Sequence, residues 1–359
     1  MLGLVRAILA LMVMVFHLYV QIGPLGSFSV FGFYIISGYL MTMVMQESYG
    51  YTTVGKLAFA RNRFLRLYPS YWVAAGLSLL LIGWVGADFA QRYHPSLAVP
   101  TSASAVVWNL SMVFPAWRPE QVDPRLVPPA WALTLELFFY ALICLGLSRN
   151  ASRVRWWFLL SVGFVAGSYM LGLRPGDRYF TVAAASLPFS VGAALYFARA
   201  DGRCARALDR LRLHALSAFV LLAANIGLCC WLTVIKADPW LIDVGFYVNI
   251  ILMAALLMRL KQGAAVLRLS PRMDKRIGDF SYPIYLLHWQ CGLLMAYLLH
   301  GAVPEPRTGA SLWVLSTALV VVCVISVLII RCVDAPIHRL RSNHRNPDAA
   351  DRQSVVLHR

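Results

Sequence analysis

The sequence predicts an all-α, polytopic membrane protein with about ten transmembrane helices and both termini cytoplasmic, on three observations. Hydrophobic residues fill 60% of the 359 positions and charged residues 13%, whereas a soluble domain carries about 25% charge. Apolar windows of about 20 residues, the length that crosses a bilayer, recur along the whole chain. The 32 Lys and Arg residues divide unevenly between the connections. With the N-terminus inside, all but Arg92, Arg118, Arg125, Arg174, Arg178, Lys236 and Arg307 fall on the inner side, the asymmetry that orients membrane proteins. The net charge of +16 is therefore read as orientation and attraction to anionic lipid, with no nucleic-acid partner.

The first window, 2–22, carries Arg6 and His17 and reads as a retained span, because these internal polar residues and the missing small-residue cleavage site do not fit a signal peptide. Eleven residues on an α-helix turn about 1100° and rise about 16 Å, so the two side chains share one face. An ionisable group in an apolar span costs on the order of 3 kcal/mol. Chemistry or transport would repay that cost. The second window, 28–46, sets Gly32, Ser37 and Gly38 in an aromatic helix, which permits close approach of a neighbouring helix or a ligand.

The third window, 68–87, is opened from the inner side by Arg61-Asn-Arg-Phe-Leu-Arg-Leu-Tyr-Pro69. Three arginines there can grip phosphates through guanidinium forks or simply anchor the span on its positive side. Next comes a long outer connection, Asp88 to Pro128, rich in proline, whose middle, Ala105 to Phe114, is too short to span and suits a re-entrant or interfacial helix. Long ordered loops tend to be lids or binding elements. Trp108, Trp117 and Trp131 lie in and beside it, as apolar faces for sugar rings or as interfacial anchors.

The fourth window, 129–147, buries Glu136 about 10 Å below the outer surface. His17 lies at a similar depth, so the two can form an acid–base pair if their helices adjoin, with Glu136 orienting the imidazole; a structural ion pair is the alternative. Windows 156–172, 180–199, 214–235 and 241–260 carry no such polar set. The ninth, 281–300, places His288 about a third of the way in from the inner side. The tenth, 310–332, ends at Asp334-Ala-Pro336, a helix stop. Residues 335–359 form a polar cytoplasmic tail after an integral membrane domain of 1–334. The seven cysteines, Cys144, Cys204, Cys229, Cys230, Cys291, Cys323 and Cys332, show no metal-ligand spacing, and neither a disulfide framework nor a metal site is expected.

In order, these segments resemble the acyltransferase-3 family of membrane enzymes that acylate cell-envelope and secreted carbohydrates. Arg6 and His17 fit its Arg-x10-His motif, Phe33 to Gly38 its aromatic-rich Ile-Ser-Gly stretch, and Arg63-Phe-Leu-Arg66 its Arg-x-x-Arg motif. Trp131 to Glu136, Ser281 to His288 and Asp334 to Pro336 match three further elements. The departures are Gly3-Leu-Val-Arg-Ala7 for the usual Asp-Gly-Leu-Arg-Gly, Ala132 for Ser and Asp334 for Glu. Lacking the hydrolase-like domain that some relatives add, the chain resembles the standalone form.

The resemblance implies an O-acyltransferase of the bacterial inner membrane, with acyl-CoA, acetyl-CoA first, as cytoplasmic donor and no metal. The acceptor would be a hydroxyl of an exopolysaccharide, lipopolysaccharide or similar glycan. On this reading Arg63 and Arg66, with Arg61 and His288, hold the donor while its pantetheine arm runs along the Arg6–His17 stripe. His17 serves as general base or transient acyl carrier, Arg6 guides the donor, Glu136 orients His17, and Trp108, Trp117, Trp131 and Ser37 meet the acceptor. Two alternatives stand beside it: a proton-coupled transporter, since intramembrane Arg, His and Glu also build relays, and, within the family, a glucan succinyltransferase.

Overall fold

The computed structural model describes residues 1–342 except positions 202, 212, 264 and 268. Its described residues contain helices and no strands, as the hydropathy pattern requires. Helix α1 (Leu2–Val15) runs on as a π-helical turn, Phe16–Val20, and stops at Gln21, whose φ is 50°. The π turn contains His17 and departs from the 3.6-residue repeat on which a face shared with Arg6 depends. Helix α2 (Gly23–Val44) takes Pro24 in its first turn, where the missing N–H costs nothing. A second π-helical turn, Met45–Tyr49, follows and closes at Gly50.

Helix α3 (Thr53–Val85) is 33 residues long, begins with the Thr52 side chain accepting the Gly55 N–H, and passes through Pro69 without ending. The hydropathy window began this span at 68, with Arg61 to Pro69 opening it, although a proline disfavours helix at the preceding residue. Here the helix is long enough on both sides to absorb that cost. Arg63 and Arg66 therefore sit on a rigid helix and not on a flexible loop. In the long connection, α4 (Ala87–Tyr93) precedes α5 (Ala103–Ser111), the short helix expected there.

The chain continues with α6 (Ala130–Leu145), α7 (Ala151–Met170), α8 (Val182–Asp201), α9 (Arg203–Arg210), α10 (Ala215–Val234), α11 (Pro239–Lys261), α12 (Pro271–Asp279), α13 (Ser281–His300), α14 (Gly309–Ile329) and α15 (Ala335–Ser342). Every one of the ten expected windows coincides with a helix. Among the described residues seven helices are long and apolar enough to cross a membrane; α6 is apolar but shorter, and α7 and α13 are less apolar. Outward-facing side chains such as Leu80, Leu160, Ile251 and Val320 are more than 60% exposed, as a lipid-facing surface requires. The tail expected to be loose from Ala335 is helical as far as Ser342, and residues 343–359 lie outside the described residues.

Helix α2 runs through the core, enclosed by α1, α6, α8, α10 and α11. Gly38 and Gly192 set the α2–α8 distance, because a Cβ on either would collide with a carbonyl oxygen of the other helix. Two faces can be told apart. At one, which we call the Met1 face, the Asp274 carboxylate of α12 accepts the N–H groups of Gly3 and Leu4 at 3.0 and 2.9 Å, capping α1. At the other, the loop face, the Arg307 N–H donates to the Tyr19 carbonyl at 2.9 Å, beside the far end of α1.

Candidate active site

Six helices bring their polar side chains to one cavity of about 320 Å³, within the size range of small-ligand sites. Arg6 comes from α1, Ser37 from α2, Arg63 and Arg66 from α3, Glu136 and Tyr140 from α6, and Tyr282 and Tyr285 from α13, with Asp279 ending α12. Glu136 Oε1 accepts the Ser37 hydroxyl at 2.6 Å and the Tyr140 hydroxyl in a very short hydrogen bond. Tyr34, Tyr282 and Tyr285 spend their hydroxyls on the backbone carbonyls of Ala132, Leu67 and Pro129, which fixes the cavity wall.

The arginines are treated differently. None of the three forms an ion pair among the described residues. Arg63 reaches the Met41 sulfur at 3.6 Å and lies 5.8 Å from the Phe59 ring, and its Nε is buried without a partner. Three guanidinium groups against two carboxylates leave the cavity with a formal charge of +1. Burying a cation without its counter-charge costs several kcal/mol, and an anionic ligand would offset that cost. A second cavity of about 320 Å³, lined by Lys275, Asp334 and His338, shares Arg66, Asp279 and Tyr282 with the first. It extends the site toward the Met1 face.

His17 does not line this cavity. Its ring stacks on His288 of α13, centroids 5.2 Å apart, and tilts against Trp289 at 4.9 Å. The fully buried His288 directs Nδ1 at the carbonyl oxygens of Tyr285 and Ile284, 2.9 and 3.3 Å away. Because a carbonyl only accepts, Nδ1 carries the proton and Nε2 is left as an acceptor, buried without a partner. Tyr285 lines the cavity and lies 6.2 Å from the His288 ring, so the arginine cavity and the histidine pair adjoin through one side chain.

The long connection adds a third imidazole. His94, just after α4, packs edge-on against Trp289 with centroids 4.3 Å apart, and its Nδ1 accepts the Ser96 N–H at 3.1 Å. Burial, reinforced by the nearby Arg125, pushes His94 down to about 4, although Asp123 acts in the opposite sense. Arg125, 4% exposed, donates to the carbonyls of Pro128, Pro119 and Val122 and to the Ser96 hydroxyl, and pairs with Asp123.

Of the residues singled out in the sequence, Arg6, Ser37, Arg63, Arg66 and Glu136 thus meet in one cavity. The expected His17–Glu136 pair does not form: Glu136 takes partners on α2 and on its own helix, and His17 takes them on α13. His288 joins His17, away from the arginines with which it was grouped. Arg61 is exposed and lines neither cavity. Trp131 packs on Tyr179 and Phe180, Trp117 is 58% exposed, and Trp108 packs against the core, so the tryptophans do not form one platform. Tyr140, Asp279, Trp289 and His94 were not singled out. The four-residue step from Glu136 to Tyr140 was readable as one helix face; nothing in the sequence joined His94 to α13.

A family model described as an acyltransferase domain matches residues 2–331. The O-acetyltransferases OatA of Staphylococcus aureus strains NCTC 8325, COL and MRSA252 are each 22% identical over 322 residues, covering 83% of this chain and 51% of the relative. The chain therefore spans about half the length of the curated relatives it matches. No solved structure matches it.

Proposed function

The chain belongs to this acyltransferase family, and from that premise we propose that it transfers an acyl group, acetyl first, from acyl-CoA to a hydroxyl of a cell-envelope or secreted glycan. The donor enters at the Met1 face, taken as cytoplasmic, and the acceptor arrives from the loop face of a bacterial inner membrane. One observation carries the reading: three guanidinium groups without carboxylate partners line a cavity whose far wall, Tyr285, touches the buried histidine pair.

The residues divide the work by chemistry. Arg63 and Arg66 offer forked donors to the CoA phosphates, which a lysine would meet only as a point charge. Arg6, deeper on α1, guides the acyl end. At the histidine pair, His17 removes the proton from the attacking hydroxyl as its oxygen bonds to the thioester carbonyl carbon. The carbon–sulfur bond then breaks, CoA leaves as thiolate, and the imidazolium returns the proton to it. Glu136, held by Ser37 and Tyr140, balances the arginine charge and does not orient His17.

Mass spectrometry of envelope and secreted glycans from otherwise identical cells with and without the protein tests this. Base-labile acyl esters present only in the producing cells are the expected result, and the mass of the added group distinguishes acetyl from succinyl. Identical glycans in both, despite normal insertion of the protein, would sink the proposal and favour a transporter.

A further inference from the structure

The long connection brings no tryptophan platform to the histidine pair. It brings His94. Its imidazole and that of His17 lie against the same Trp289 indole, at 4.3 and 4.9 Å, so α1, α13 and the connection converge there. The position of His94 is heavily built. Arg125 holds both the hydroxyl and, through its own N–H, the carbonyl of Ser96, and the Ser96 N–H in turn holds His94 Nδ1. Gly292 of α13 leaves the space that the Tyr93 hydroxyl and Leu18 fill, which lets α4 come close.

A backbone N–H can only donate, so Nδ1 of His94 is unprotonated and the ring proton resides on Nε2. That Nε2–H has no hydrogen-bond partner among the described residues. Beside a base at His17, a fixed neutral donor suits a ligand rich in oxygen acceptors and free of charge, which is the chemistry of a sugar; the anionic donor is provided for at the opposite end. The groups facing His94 are Trp289, His288 and, from the end of α1, His17, together with Ser96, Arg125 and Asp123 within the connection. None of these is hydrogen-bonded to Nε2 in the structure.

We infer that His94 is an acceptor-binding residue, its Nε2–H donating a hydrogen bond to an oxygen of the glycan at the loop-face end of the histidine stack. This rests on the acyl-transfer reading. Two substitutions separate it from a packing role. His94→Asn keeps an acceptor two residues before the Ser96 N–H, the arrangement of an Asx turn, but deletes the Nε2 donor. His94→Gln keeps a donor near the Nε2 position but loses the bond to Ser96.

Full-length parent and variants are compared by acyl-ester content of cell glycans, by binding of radiolabelled acetyl-CoA to the purified proteins, and by protease resistance of the 88–128 connection. His94→Asn is expected to keep the connection protected and to bind acetyl-CoA as the parent does, while losing on the order of tenfold in ester formation, the scale of one hydrogen bond. His94→Gln is expected to retain the larger share of ester formation. Parental ester formation by His94→Asn overturns the inference, as does an equal loss in His94→Gln with its connection intact. A parent that adds no ester at all refutes acyl transfer itself, a different result from either.

Discussion

The arginine cavity and the histidine stack lie side by side, yet they solve the problem of burying polar groups in opposite ways. In the cavity the carboxylate is satisfied, Glu136 by Ser37 and Tyr140, and the cations are left without ion-pair partners. In the stack the backbone fixes the rings: carbonyls of α13 set the His288 tautomer and an amide sets that of His94, and aromatic faces fill the remaining space. The first arrangement stores charge for a ligand to neutralise. On the proposed acyl-transfer reading, the second would position ring nitrogens for proton transfer and hydrogen bonding. A charged donor and an uncharged acceptor call for this division.

The largest effect should come from the stack. His17→Ala is expected to lower acyl transfer by about 10²- to 10⁴-fold, the range for loss of a general base, while leaving acetyl-CoA binding to the purified protein near the parental level. Glu136→Gln, which keeps an oxygen for Ser37 and Tyr140, should retain more activity. Equal losses in the two variants would erase the division, because the carboxylate would then act with the base. A covalent acyl-histidine caught by rapid quench would replace proton removal with double displacement.

A smaller and different effect should follow from the cavity. Arg63→Ala and Arg66→Ala are expected to raise the apparent KM for acetyl-CoA by about 10-fold each, the scale of one charge-assisted hydrogen bond, with kcat less affected. Lysine at either position should recover only part of the loss. Because both arginines sit within α3, thermal stability should hold or rise on removing an uncompensated cation. Normal donor affinity in both alanine variants would reduce the motif to an anchor of the span.

What the sequence made legible follows from what is local. Each of the ten hydropathy windows falls on a helix, since each window reports its own burial, although among the described residues seven helices are long and apolar enough to cross a membrane. Motif spacing found Arg6, Arg63, Arg66, Ser37 and Glu136, which the structure brings to one cavity. The pairing of His17 was misread because depth along two helices says nothing about which neighbours they have, and because the π turn at Phe16 is invisible to a 3.6-residue count. The start of α3 lay beyond the apolar window, because its first half carries Lys56, Arg61, Arg63 and Arg66 and hydropathy does not register it. His94 stayed hidden for a different reason: its place is set by Arg125 through Ser96, a tertiary chain of bonds that no periodicity encodes.

The smallest expected effect tests that chain. A partly buried His94 held down to about 4 binds fewer protons folded than unfolded, where the ordinary value is 6.5. The unfolded connection thus gains the proton first as pH falls, so local stability rises with pH across that window and is level above it. Hydrogen exchange across 88–128 in the intact protein should show protection that is constant above about pH 7 and declines progressively from about 6.5 to about 4. In His94→Gln this slope should flatten, since the titrating group is gone, while protection at neutral pH drops by roughly the value of one lost hydrogen bond, about 1 kcal/mol. A slope unchanged in His94→Gln would assign it to another group and leave His94 as packing for Trp289. The loop would then be no more than a cover, and the contrast between a charge-storing cavity and a tautomer-fixed stack would end at His288.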